Sequence, residues 1–210
     1  MARALKVYTE LFEYDAALRN EFPVFCGVDE AGRGPLAGDV YAAAVILPPD
    51  LTIPGLNDSK KLSETRREEL APVVKEQALA WSIASASVEE IERLNILQAA
   101  LLAMHRAVEG LAIQPDFALV DGNQPPVLPM PVGTLIHGDA RSASIAAASL
   151  LAKTARDAAL RELDRQYPQY GFAAHKGYGT KAHYAAIEQY GLCPAHRPSF
   201  LKKFYDRRGE

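Results

Sequence analysis

The chain has 210 residues, of which 49% are hydrophobic and 23% are charged, and its formal net charge is −3. This composition is typical of a globular protein and excludes a disordered or collagen-like chain, while two cysteines set no disulfide framework and favour a reducing compartment. No apolar run approaches the roughly 18 to 20 residues of a membrane helix, and the N-terminus does not resemble a secretory signal, so we expect a cytoplasmic protein without membrane contact.

The first half of the chain contains two predicted helices and three predicted strands. Apolar positions at helical spacing predict a helix over residues 4–20. Short apolar runs predict strands over residues 24–29 and 39–47, the second of which stops at two prolines. A polar loop then leads into a predicted helix over residues 63–79. A strand follows over residues 81–88, where the alternating pattern indicates one solvated face.

The second half alternates between helices and strands. A helix is predicted over residues 88–110, ending at a glycine as helices often do. Strands are predicted over residues 116–121 and 133–136, and helices over residues 141–163 and 180–189. Because three strands come first and strands then alternate with helices, the order predicts a mixed α/β sheet covered by helices.

Acidic side chains stand at the ends of three predicted strands. Asp29 and Glu30 end the first strand, Asp121 ends the fourth, and Asp139 follows the fifth. Strand ends are where α/β proteins place their sites. Clustered carboxylates repel one another and raise each other's pKa, and hard divalent cations such as Mg²⁺ and Mn²⁺ remove that conflict. Two such ions about 4 Å apart suit in-line attack on a phosphodiester.

Each carboxylate also has a plainer explanation. A turn accounts for Asp121 in the sequence Asp-Gly-Asn, and a helix N-terminus accounts for Asp139. The adjacent pair Asp29 and Glu30 is harder to explain in this way, because charge at the end of an apolar strand is costly to desolvate.

Three further segments carry groups suited to binding. Gly32, Arg33 and Gly34 do not form a dinucleotide fingerprint, but the glycines allow close approach to the backbone. Lys60 lies in a polar loop and could contact phosphate. Tyr178 lies between two glycines and could stack on a sugar or base. The plainer alternatives are a glycine turn, a solvated lysine and a tyrosine folded back on the core.

Charge is distributed unevenly along the chain. Residues 1–152 carry 12 basic and 20 acidic side chains, whereas residues 153–210 carry 11 basic and 6 acidic ones. An acidic body with a basic C-terminal quarter suits a protein that holds cations on one side and a polyanion on the other. Solvated helix faces explain the same distribution without a ligand.

Two other residues are interpreted as structural. Asp157 lies four residues after Lys153 in the alanine-rich helix, a spacing that predicts an ion pair. Cys26 lies inside an apolar strand, where a buried and inert thiol is expected.

Six motifs occur together in an order that resembles the bacterial ribonuclease HII family. They are GVDEAGRGPLAG (27–38), NDSKKLS (57–63), the DG of 121–122, GDARSASIAAASLLAKTARD (138–157), HKGYGT (175–180) and HRPSF (196–200). The combination is specific although no single motif is. The chain departs from the family pattern at Asp39, where proline is usual, and at His137, where lysine is usual.

The resemblance implies a fold and an activity. The fold would be an α/β, RNase H-like mixed sheet flanked by helices, in a single domain over residues 1–210 with a small helical C-terminal part at about 165–210. The enzyme would hydrolyse the RNA strand of RNA–DNA hybrids. It would also cut 5′ of single ribonucleotides embedded in duplex DNA by a two-metal-ion mechanism, leaving 3′-hydroxyl and 5′-phosphate ends. We expect a monomer.

The resemblance also implies a role for each candidate residue. The family's catalytic carboxylates fall on Asp29, Glu30, Asp121 and Asp139, which would hold two Mn²⁺ or Mg²⁺ ions. The residues expected to contact the substrate each match a family motif. They are Gly32, Arg33 and Gly34, which would recognise the 2′-hydroxyl through the backbone, Tyr178, which would stack on the neighbouring sugar, and Lys60, which would contact a phosphate.

Two other functions fit the acidic cluster. One is a different two-metal nuclease or phosphatase. The other is a module that binds hybrid duplexes without cutting them, and loss of a ligand carboxylate would mark it. All four carboxylates are present.

Overall fold

The computed structural model describes the backbone of residues 2–206 and the side chains of residues 10–202 and 204–206. Its strands are β1 (Phe25–Ala31), β2 (Val40–Ile46), β3 (Ala80–Ala86), β4 (Phe117–Asp121) and β5 (Val132–Leu135). Its helices are α1 (Ala2–Arg19), α2 (Glu64–Gln77), α3 (Val88–Leu94), α4 (Ile96–Glu109), α5 (Ala143–Gln166), α6 (Phe172–His175), α7 (Lys181–Tyr190) and α8 (Pro198–Asp206). None of these helices is long and apolar enough to cross a membrane.

The five strands form one mixed sheet in the order β3-β2-β1-β4-β5. Strands β1, β2 and β3 pair antiparallel, whereas β4 pairs parallel with both β1 and β5. The predicted mixed sheet flanked by helices is therefore confirmed. Because β1, β4 and β5 run in the same direction, their carboxyl ends lie at one edge of the sheet, where α/β proteins build their sites.

Helices cover both faces of the sheet. Strand alternation sends Val28 and Val120 to one face, where they join a buried cluster with α4. The same alternation sends Phe25 and Leu119 to the other face, where they pack on Ile145 of α5. The sheet is therefore buried between α4 and α5, and any side chain on β1 or β4 must face one of these two helices.

The contact between β1 and α5 depends on Gly27. An ideal Cβ at Gly27 would lie 2.2 Å from the carbonyl carbon of Ser144 and 2.3 Å from the amide nitrogen of Ile145. Only a residue without a side chain fits such a close approach to backbone. Small residues on α5 keep the whole helix close to the sheet. They are the fully buried Ala143, Ala146, Ala147, Ala148 and Ala152.

A buried carboxylate joins α1 to the N-terminus of α5. Asp15 accepts hydrogen bonds from the Ser142 hydroxyl at 2.6 Å and from the Ser144 amide and hydroxyl at 2.8 and 2.6 Å. A negative charge at this end of a helix is favourable, because the first amide groups lack partners within the helix. No local sequence pattern marks this contact, since its partners lie 127 and 129 residues apart in the chain.

Three expectations about secondary structure need correction. The single helix predicted over residues 88–110 is wrong, because the chain divides at Asn95, which has φ +73° and caps α4 by accepting from the amides of Leu97 and Gln98. Strand β1 continues to Ala31, so the acidic pair lies inside the strand rather than at its end. Helix α8 lies in the C-terminal part expected to be helical, but the sequence pattern does not locate it as a separate helix.

We expect Gly27→Ala to reduce the free energy of unfolding by about 3 kcal/mol, the upper end of the usual range for overpacking, because the obstacle is helix backbone. Urea unfolding at equilibrium measures the loss. Gly133→Ala in β5 is the matched control. Its added methyl would meet the ring edge of Phe117, a side chain that can move. Equal losses for the two variants would contradict the role given to Gly27.

Candidate active site

Three carboxylates meet at the carboxyl edge of the sheet. Val28 pairs with Val120 across β1 and β4, so Asp29 and Asp121, one residue further along each strand, lie side by side. Both follow residues that face α4, and both therefore face α5. Asp139 joins them from the 3-10 turn at residues 138–140 that follows β5. One carboxylate oxygen of each of these three residues lies within 4.8 Å of the other two.

Glu30 lies next to this group but not in it. Strand alternation turns its side chain towards α4, opposite to Asp29. There the Glu30 carboxylate pairs with the Arg33 guanidinium at 3.3 Å. It lines a cleft together with Asp121 and with Leu97 of α4. Of the four carboxylates predicted from the sequence, the structure thus brings three within 4.8 Å of one another and leaves Glu30 outside that group, in a cleft that Asp121 also lines.

Hydrogen bonds hold two of the three grouped carboxylates in place. The amide of Gly138 donates to Asp121 at 2.6 Å, which ties β4 to the turn that carries Asp139. The Lys60 ammonium donates to Asp139 at 3.1 Å. The side chain of Lys60 is 76% exposed, so this ion pair contributes little to stability and its lysine is accessible to a ligand.

Burial makes ionisation of Asp29, Glu30 and Asp121 unfavourable. It raises the pKa of Asp29 well above its usual value, and the negative charges of Glu30 and Asp121 raise it further. Burial also raises the pKa of Glu30, although the Arg33 guanidinium opposes the shift. Burial again raises the pKa of Asp121, against the hydrogen bond from Gly138.

The donor set suits a hard divalent cation. The three grouped residues offer only carboxylate oxygens, the ligand type that Mg²⁺ and Mn²⁺ prefer. Burial and neighbouring negative charges raise the pKa of Asp29 and of Asp121, so ionising these two carboxyl groups together is unfavourable without added positive charge. A bound divalent cation would supply that positive charge, so the residues present fit a metal ion.

The structure also joins the two loops expected to contact the substrate. The Leu36 amide donates to the Gly177 carbonyl at 2.8 Å, linking the segment after β1 to the segment after α6. A Cβ at Gly34 would lie 3.6 Å from the ring of Tyr178, so this glycine faces the tyrosine. The side chain of Tyr178 is 48% exposed and is therefore not folded into the core. Gly32 has φ +104°, a conformation that favours glycine.

The structural interpretations of Asp157 and Cys26 are confirmed. Lys153 pairs with Asp157 at 2.6 Å, and Arg67 of α2 approaches the same carboxylate at 3.4 Å. Burial raises the pKa of the Cys26 thiol to about 12, so it is inert at neutral pH.

Asp39, one of the two departures from the family pattern, accepts a hydrogen bond from the Val88 amide at the start of α3.

Arg197 lies against the Gly32–Gly38 loop, a position that no pattern in the sequence indicates. Its guanidinium is fully buried and donates to backbone carbonyl groups of this loop. The motif HRPSF contains Arg197, but a single arginine in a loop carries no signal that its side chain is buried. Its partners lie more than 150 residues earlier in the chain.

A mixed sheet covered by helices, with three carboxylates grouped at its carboxyl edge, defines an RNase H-like protein with a site suited to divalent metal ions. The model of the family described as Ribonuclease HII matches residues 26–203. The chain therefore belongs to the ribonuclease HII family, as its motifs indicate, and this membership assigns it ribonuclease H activity.

Relatives and solved structures agree with this assignment. Ribonuclease HII of Laribacter hongkongensis is 65% identical over 177 residues, which cover 83% of this chain and 89% of the relative. Ribonuclease HII of Vibrio parahaemolyticus is 56% identical over 201 residues, covering 95% of this chain and 93% of the relative. The crystal structure of ribonuclease H2 from Pyrococcus horikoshii has the same fold, with a TM-score of 0.72 at 23% identity, over 89% of this chain and 99% of that one.

We expect Asp29→Asn to stabilise the metal-free protein at pH 7 by on the order of 1 kcal/mol, or about 2–4 °C in Tm for a chain of this size. The pKa of Asp29 is raised in the folded state, so at any pH above the ordinary aspartate pKa its ionisation favours the unfolded chain. The gain should shrink as the pH falls towards the pKa of about 4 of an unfolded aspartate. Thermal unfolding in EDTA across this pH range measures it.

Two comparisons make this test specific. Asp50→Asn removes an exposed carboxylate and should leave Tm nearly unchanged. Adding Mn²⁺ should raise Tm of the wild type by mass action and have little effect on Asp29→Asn. A lower Tm for Asp29→Asn than for the wild type in EDTA at pH 7 would show that the carboxylate stabilises the fold.

Proposed function

We propose that this ribonuclease HII hydrolyses the RNA strand of RNA–DNA hybrids and also cuts on the 5′ side of single ribonucleotides within duplex DNA, leaving 3′-hydroxyl and 5′-phosphate ends. The observation that carries the proposal is that the acidic residues of β1 and the glycine segment beside Tyr178 follow one another directly in the chain. Strand β1 ends in Asp29, Glu30 and Ala31, and the Gly32–Gly34 segment beside Tyr178 follows directly. The glycine segment that would recognise a ribose is thereby adjacent to the carboxylates that would act on its phosphate.

The carboxylates of Asp29, Glu30, Asp121 and Asp139 would hold two divalent ions, Mn²⁺ or Mg²⁺. When bound, such ions supply an activated water and stabilise the leaving oxygen of a phosphodiester. The chain's own contribution is to fix these oxygens before a metal arrives, through the strand pairing of β1 with β4 and the hydrogen bond from Gly138 to Asp121. Glu30 would act from the cleft on the α4 face.

Recognition of a ribose requires contact with its 2′-hydroxyl, the group that distinguishes RNA from DNA. The amide groups of Arg33 and Gly34 donate to no acceptor within the described residues, so both are available to a ligand. Tyr178 would stack on the neighbouring sugar from the other side of Gly34. The exposed ammonium of Lys60, at the edge of the carboxylate cluster, would contact a phosphate.

The remaining features of the chain fit this substrate. The basic excess over residues 153–210 would face the polyanionic duplex, while the acidic body holds the metal ions. We propose that the helical part at about 165–210 belongs to the same domain as the sheet. Both Gly177 and Arg197 form hydrogen bonds with the loop that follows β1. We propose a monomer acting on one duplex.

A cleavage assay tests the proposal directly. The substrate is an end-labelled DNA duplex with one ribonucleotide, with an all-DNA duplex and a long hybrid as comparisons, in Mg²⁺, Mn²⁺ or EDTA. We expect a metal-dependent cut on the 5′ side of the ribonucleotide and cuts along the RNA of the hybrid. Asp121→Asn should abolish both while retaining binding, because it removes an oxygen that holds the metal. Asp50→Asn is the control.

Other outcomes would favour the competing functions. Cleavage of the all-DNA duplex would show a nuclease that does not recognise the 2′-hydroxyl. Tight binding to the hybrid without cleavage in either metal would show a binding module.

We expect Tyr178→Ala to weaken recognition of the single ribonucleotide by roughly 1 to 3 kcal/mol, the range measured for the loss of one aromatic stack. Tyr178→Phe should retain most of it, since the ring remains. The measurement is kcat/KM on the single-ribonucleotide duplex. Tyr190→Ala is the matched control, because Tyr190 is also about half exposed but lies on α7 against Tyr170. An unchanged kcat/KM in Tyr178→Ala would remove this residue from the site.

A further inference from the structure

Arg197 is fully buried and bonds one loop from within the protein. Its guanidinium donates to the carbonyl oxygens of Gly32 at 2.8 Å, Arg33 at 3.2 Å and Pro35 at 2.9 Å. It donates twice to the carbonyl of Gly38, at 2.9 and 2.6 Å. These five hydrogen bonds engage every nitrogen of the side chain, and all of them end on the backbone of residues 32–38.

This arrangement is unusual for a buried charge. No carboxylate hydrogen-bonds to Arg197 within the described residues, although buried charges are normally paired. Burial and the positive charge of Arg156 lower the pKa of Arg197 to about 9, so it is still protonated at neutral pH. Burying this charge is costly, and its hydrogen bonds all go to one loop. The side chain therefore acts on the conformation of that loop.

The direction of these hydrogen bonds determines which backbone groups remain available. Peptide planes whose carbonyl groups point inwards to Arg197 direct the amide groups on the opposite side away from it. Arg197 donates hydrogen bonds to the carbonyls of Gly32 and Arg33. The peptide unit of the first carbonyl contains the Arg33 amide, and that of the second contains the Gly34 amide. Neither of these two amide groups has an acceptor among the described residues.

A second buried arginine links this loop to the loop that carries Tyr178. Arg156 of α5 donates to the carbonyl of Ala37 at 3.2 Å and to the carbonyl of Lys176 at 3.1 Å. Its side chain lies directly under Gly32, where any Cβ would be 2.1 Å from its Nε. The relative position of the two loops is therefore set from beneath by arginine side chains that a substrate cannot reach.

We propose that Arg197 is a positioning residue for substrate recognition, which holds the Gly32–Gly38 loop so that the amides of Arg33 and Gly34 face the ribose 2′-hydroxyl. The inference rests on the proposed function, in which this loop recognises the ribose. Only a planar guanidinium has donors spread widely enough to reach four carbonyl groups, whereas the three donors of a lysine share one nitrogen.

Arg197→Lys tests the inference because it retains the charge and changes the hydrogen-bond geometry. We expect kcat/KM on the single-ribonucleotide duplex to fall at least tenfold. We also expect the preference in Kd for this duplex over the all-DNA duplex, measured with Ca²⁺ in place of the active metal, to fall at least fivefold. The affinity for Mn²⁺ alone should stay within twofold, since Arg197 does not hydrogen-bond to the carboxylates.

Two controls separate positioning from folding. Arg106→Lys makes the same substitution at an arginine that donates to the Ser85 carbonyl and to Glu90, away from the loop, and it should behave as the wild type. Protein labelled with ¹⁵N only at its 14 glycines gives a readout that needs no catalysis. The amide signals of Gly32, Gly34 and Gly38 should move in Arg197→Lys, while that of Gly133 in β5 should not.

A merely structural role predicts a lower Tm with an unchanged Kd preference and unmoved loop signals, and that result would overturn the inference. If Arg197→Lys does not fold at the assay temperature, Arg197→Gln replaces it, and failure of both to fold would likewise overturn a positioning role distinct from folding. If the wild type cuts hybrids but ignores single ribonucleotides, the proposed function fails instead. The inference is then judged on kcat/KM for the hybrid and on the glycine signals.

Discussion

The close contact of α5 with β1 at Gly27 is the constraint on which the rest of the structure depends. The backbone of α5 occupies the place that a side chain at residue 27 would fill. The sheet and this helix, the longest in the structure, are therefore separated by little more than alanine methyl groups. Asp29, two residues after Gly27 on the same face, is consequently buried beneath this helix. Asp15 holds the N-terminal end of α5 in place by accepting from Ser142 and Ser144.

Electrostatics oppose folding in two neighbouring places, with opposite signs. The carboxylates at the sheet edge are pushed towards their protonated forms by burial and mutual repulsion. A few residues further along the chain, Arg156 and Arg197 are buried as cations. No hydrogen bond joins these two groups among the described residues. A protein selected only for stability would replace both groups with apolar side chains.

The sequence predicts most of the fold and the carboxylates, because these depend on local patterns. Short apolar runs, one alternating pattern and helical spacing locate all five strands and the longer helices, and acidic residues near strand ends mark the sheet edge. It does not predict that Glu30 faces away from Asp29, since the strand continues past both. It also misses Asp15 and Arg197, whose roles depend on partners more than 120 residues away and on burial that no local pattern shows.

The contact between Arg197 and Gly32 spans 165 residues of sequence. During synthesis the loop after β1 leaves the ribosome 165 residues before the arginine that hydrogen-bonds to it. Contacts of such long sequence separation form late in folding, because the entropy of closing the chain must be lost first. The strands and the carboxylates of the nascent chain can therefore come together before Arg197 is available to the loop, and the ribose recognition proposed for this loop would have to wait for residue 197.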